Sequence, residues 1–105
     1  MLRSHIDSAL VIASSMALYR AGHVDALPEV RRQMRLINEA YSDPGVLRLT
    51  DDVVRAMSIL HGPPNGDSED SRRERALVAI DRLRSHLEDL PEPSPLTLRK
   101  KARAR

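Results

Sequence analysis

Four histidines and three adjacent carboxylate pairs are the residues of this chain whose chemistry reaches beyond packing. His5, His23, His61 and His86 are scattered, and none has a second histidine three or four positions away. Metal ligands on a helix recur at that spacing because it places them on one face. These four are therefore expected to be surface or helix-end histidines, with no metal. Asp51-Asp52, Glu69-Asp70 and Glu88-Asp89 are neighbours in sequence. Adjacent helical positions point about 100° apart, so no pair makes an acid–base dyad. Asp51 and Asp52 are expected instead to serve a helix N-terminus. The sequence has no glycine-rich phosphate loop, no nucleophile elbow and no paired His-Glu metal motif. The expectation is a protein with no catalytic residue and no cofactor.

The cations are more suggestive. Arg31, Arg32 and Arg35 cluster on one predicted helix, with Glu39 one turn beyond Arg35 and placed to pair with it. Arg72, Arg75 and Arg82 line one flank of a later helix, while Asp70, Glu74, Asp81 and Glu88 line another. Separated flanks of that kind suit pairing with another charged helix. The third group closes the sequence: Arg99, Lys100, Lys101, Arg103 and Arg105 follow three alternate prolines, Pro91, Pro93 and Pro95. Residues 1–90 hold twelve arginines against fourteen acids, so the net charge of +2 conceals a nearly balanced body and a basic tail. Such a block attracts phosphate by counterion release, without base specificity. The plain alternative is a disordered solubilising end, and a contact for an acidic protein surface is the third reading.

Aromatic interleaving is missing. There is no Phe and no Trp, and Tyr19 and Tyr41 fall in apolar patterns that mark them as core. A base-stacking single-strand binder needs rings beside its cations. A helix-turn-helix is equally poor, because the candidate reading helix (51–61) opens on two aspartates that repel phosphate.

The elements that position these groups are helices. With no cysteine, disulfides and thiol chemistry are excluded, and the core must come from Leu, Ile, Val, Met and Ala. A first helix is predicted over 5–21, capped by Ser4 and ended by Gly22. Ile6, Leu10, Ala13 and Ala17 form one stripe, and other apolar residues surround it. This helix is expected to be the central, most buried one; exposed in the monomer, it would be an assembly surface. Its apolar run, ALVIASSMAL, is ten residues, too short to span a bilayer, so no membrane association is expected. A second helix is predicted from about Pro28 to Tyr41, with Val30, Met34, Ile37 and Tyr41 on its apolar face. Ser42-Asp43-Pro44-Gly45 is a turn, and 46–49 is either an extended piece or the start of a helix. Thr50-Asp51-Asp52 caps a third helix ending at His61, with Val53, Met57 and Leu60 inward. GPPNGDS (62–68) is a loop. A fourth helix runs from about Glu69 to Leu90, packing through Ala76, Ile80, Leu83, Leu87 and Leu90 at heptad-like spacing. The fold class is all-α: a small bundle of about four helices over 1–90, with a disordered or extended basic tail over 91–105.

A compact, cysteine-free helical chain with the groups Arg31/Arg32/Arg35 and Arg72/Arg75/Arg82 resembles the small helical subunits of multi-subunit CRISPR effector complexes. The resemblance rests on size, helix pattern and arginine faces. It implies a non-catalytic cytoplasmic subunit of a ribonucleoprotein, set against other protein subunits and against the backbone phosphates of RNA or single-stranded DNA. The alternative expectation is a small adaptor, chaperone or regulator whose charged helix faces recognise a protein. The two differ in one structural respect. Arginines converging on one surface favour nucleic acid, and flanks of mixed sign favour a protein.

Overall fold

The computed structural model describes residues 2–63 and 66–90, with side chains from Ser4 onward. Arg99, Lys100, Lys101, Arg103 and Arg105 lie outside the described residues, as does the expectation for residues 91–105. The described chain is an all-α four-helix bundle: α1 (Leu2–Ala17), α2 (Ala26–Tyr41), α3 (Pro44–His61) and α4 (Glu69–Glu88). Each helix packs against its neighbour in sequence, and α4 returns to α1 to close the ring. The core holds the residues the periodicity selects. Val30, Met34 and Ile37 enter from α2, Val53, Met57 and Leu60 from α3, and Ala76, Ile80, Leu83 and Leu87 from α4. Leu90 packs against this core from just beyond the end of α4.

Three expectations change. α1 buries its stripe, Ile6, Ala9, Leu10, Ala13 and Ala17, but it is not the central helix. Val11 on α1 is 60% exposed; just beyond its end Leu18 is 64% exposed, and Tyr19, expected in the core, is exposed too. The most extensive pairing is α3 with α4. α1 packs between α2 and α4, and the side that carries Val11 is left facing solvent.

α1 also ends at Ala17, five residues before Gly22. Tertiary partners stop it there. His61 takes the Met16 carbonyl at 2.8 Å, and Arg73 takes the carbonyls of Ala17 and Tyr19 at 3.1 and 2.9 Å. Gly22 adopts φ 86° within the connecting loop, a conformation that favours glycine.

The third change is at α3, which starts at Pro44 and not at Asp51. Asp43 is its N-cap: its carboxylate accepts from the Val46 N–H at 3.0 Å, and Pro44 occupies the first turn. The Ser42-Asp43 step is all that remains of the turn, with Ser42 in the left-handed conformation at φ 47°. Asp51 and Asp52 thus sit well inside α3. Thr50 is buried and bridges to α2 through Asn38 at 2.8 Å. α4 begins as expected, with Ser68 accepting from the Ser71 N–H at 3.1 Å.

Candidate functional site

One pole of the bundle gathers the ends of α1 and α3 and the start of α4. A helix C-terminus leaves carbonyls without intrahelical partners and carries a partial negative charge. Here two adjacent arginines of α4 answer two such ends. Arg72 is buried and donates to the Ile59 and Leu60 carbonyls, both at 3.3 Å. Arg73 covers the end of α1 and also pairs with Glu69. That hydrogen bond from Arg73 holds the Glu69 carboxyl below the usual carboxylate range.

His61 completes the pole. It ends α3, one of the two places expected for these histidines, but it is fully buried and not at the surface. Its Nδ1 accepts from the His23 backbone N–H at 3.1 Å, so the proton sits on Nε2, which donates to Met16. Neither Arg73 nor His61 was singled out for such a role by spacing. Arg72, however, falls within about 40° of Ala76 and Leu83 on a helical wheel, a legible sign that it points inward.

At the opposite pole, His86 Nε2 lies 2.9 Å from Asp43. Gly45 makes this contact possible, since a Cβ there would come within 2.7 Å of His86 Nε2. The hydrogen bond from His86, joined by the Val46 N–H, holds the Asp43 carboxyl below its usual range. Asp43 is thereby committed twice, as a helix cap and as a tie to α4. Among the described residues no three His, Cys, Asp or Glu side chains gather as a metal site. No described helix is long and apolar enough to cross a membrane.

The arginines expected to act together are divided by the fold. Arg72 leaves its supposed flank for the core. Arg75 and Arg82 remain outside, in a groove between α3 and α4 that also holds Asp52 and Glu74. Arg75 is tied to Asp67 at 2.9 Å. On α2 the group splits: Arg31 and Arg35 lean over the α2/α3 groove, while Arg32 faces α1 and lies 3.7 Å from Glu29. The expected Arg35–Glu39 ion pair does not form among the described residues.

The α2/α3 groove contains Arg31 and Arg35 together with Glu39 and Asp51. Asp51 is engaged by Arg55 at 3.0 Å. Both grooves beside α3 therefore mix signs, and the adjacent Asp51 and Asp52 serve one groove each. Exposed apolar residues stand among these charges: Leu47 at the α2/α3 groove and Val78 at the α3/α4 groove. Comparison of the chain with protein-family models, curated proteins and solved structures finds no match.

Proposed function

We propose that this chain is a non-catalytic protein-docking module, a small adaptor, chaperone or regulator acting in the cytoplasm through charged and apolar helix faces. The supporting observation is the mixed sign of the grooves beside α3. Each carries two arginines and two acids around an exposed apolar residue. A continuous phosphate backbone laid along either groove meets its acids as well as its arginines, whereas a protein surface can set its own charges against the arginines and leave the acids uncontacted. The polar ties at both poles leave their side chains committed to the fold, so docking falls to the helix faces.

A second reading, a subunit of a nucleoprotein assembly as the CRISPR resemblance implies, draws on a different observation. Arg31 and Arg35 are exposed and make no ion pair among the described residues. The basic residues 99–105 add to it.

Purification from native cells with and without nuclease separates the two. Docking predicts a stoichiometric protein partner that survives nuclease and no binding to single-stranded RNA or DNA at low salt. Recovery of nucleic acid, with an affinity falling by a log–log slope of about 0.7 per phosphate contact as salt rises, sinks the docking reading and installs the second.

A further inference from the structure

The α2/α3 groove differs from its counterpart in which charges remain uncompensated. Arg55 engages Asp51 at 3.0 Å, which leaves Arg31 and Arg35 facing only Glu39. In the α3/α4 groove Asp67 engages Arg75, which leaves Arg82 facing both Asp52 and Glu74. The first groove is thus residually positive and the second residually negative. Arg31 and Arg35 are also one helical turn apart on the same wall, a spacing that two acids one turn apart on another helix can match.

The other wall of the positive groove, on α3, is formed by Leu47, Thr50, Asp51 and Val54, apolar at its two ends. A second recess, formed by Ser42, Asp43 and Pro44, adjoins it, since Asn38 and Leu47 line both, and the Asp43 carboxylate there is engaged by His86. From Arg31 to Ser42 the two span about 17 Å, roughly three turns of helix. Leu47 is 62% exposed on the α3 side, with half-buried Val54 above it and buried Met34 beneath.

The walls are riveted together. Asn38 of α2 donates to the Thr50 hydroxyl of α3 at 2.8 Å, and that hydroxyl donates to the Leu47 carbonyl at 2.9 Å. A groove held in this way is formed before any ligand arrives, so binding does not carry the cost of opening it.

We infer that the α2/α3 groove docks an acidic amphipathic helix of a partner protein, acids one turn apart meeting Arg31 and Arg35 and an apolar stripe covering Leu47 and Val54. The inference rests on the docking reading above and names its site and its ligand. Helix-in-groove recognition of this kind uses apolar anchors for affinity and flanking charges for register and selectivity.

The test uses the full chain and two stapled amphipathic peptides that share a leucine stripe, one with glutamates and one with lysines on its flank. Amide chemical-shift mapping and fluorescence anisotropy read the outcome. The glutamate peptide is expected to bind, with shifts concentrated at Arg31, Arg35 and Leu47, and the lysine peptide to bind at least about tenfold more weakly. Arg31→Glu with Arg35→Glu should invert that preference, and Leu47→Glu should weaken both peptides. All three side chains are exposed, so the fold survives these changes, as circular dichroism would verify. If the glutamate peptide binds equally to parent and charge-reversed protein, or maps to the α3/α4 groove, this site is wrong while docking stands. If neither peptide shifts any resonance at about 1 mM and single-stranded RNA does, the docking reading fails with it.

Discussion

His61 is a single buried side chain on which three segments depend, and its replacement offers the sharpest test of the bundle. The ring donates to the last turn of α1 and accepts from the His23 N–H of the following loop. His61→Leu keeps comparable volume, so the cavity contribution is small and the lost hydrogen bonds dominate. The Met16 carbonyl keeps a second partner, the Tyr19 N–H at 3.3 Å, so its loss is that of one net hydrogen bond, about 1 kcal/mol. The part-buried His23 N–H has no such reserve, and leaving it unpaired costs about 1–2 kcal/mol. The sum is about 2–3 kcal/mol, a large share of the ~5–15 kcal/mol typical of a small domain. Urea unfolding followed by far-UV circular dichroism measures it, with His5→Leu, at an exposed position, as the control. Hydrogen exchange supplies a local readout, since the His23 amide should lose its protection in the leucine variant. His61→Gln, whose amide both donates and accepts, should recover part of the loss. A cost below about 0.5 kcal/mol, or unchanged protection at His23, would refute this account of the pole.

Two further predictions concern charge. Arg72→Met is expected to destabilise the fold by about 1–3 kcal/mol, because it strips a charged donor from the end of α3. Arg82→Met, at an exposed position of the same helix, should stay within about 0.5 kcal/mol of the parent in the same unfolding assay. Asp43 and Glu69 both titrate below their ordinary range when folded. The unfolded chain therefore takes up their protons first as pH falls, and their contribution is complete above the ordinary carboxylate range and lost below it. Stability should decline on acidification through that range, and Asp43→Asn with Glu69→Gln should flatten the decline. An unchanged acid limb in that double variant would show that these two carboxyls do not govern it.

The fold class and most of the core were legible because helical periodicity is a local property. Val30, Met34 and Ile37, or Ile80, Leu83 and Leu87, lie on one face wherever the helix sits, and burial follows once any apolar partner arrives. The separation of Asp51 from Asp52 is local in the same sense, since 100° per residue sends them to different sides. Helix ends were less legible. The Asp43-Pro44 start of α3 is a local cap signal, and Thr50-Asp51-Asp52 competed with it as an equally good one. The choice went to Asp43 because Thr50 is needed inside, bonded to Asn38 of α2.

What only the tertiary structure decided is which charges are free. Arg72 and Arg82 are the same residue type on one helix. The helical phase already turns Arg72 inward and Arg82 aside, but that Arg72 finds carbonyls to bond there depends on where α3 stops relative to α4. The exposure of α1 has the same origin. Sequence established that its sides are apolar, but the number of neighbours around a helix is set by the packing of the whole bundle. The sequence alone thus determined four helices, the apolar face of three of them and a basic end, because those depend on residue type and period. The division of the arginines between core, ion pair and groove was left to contacts between residues far apart in the chain.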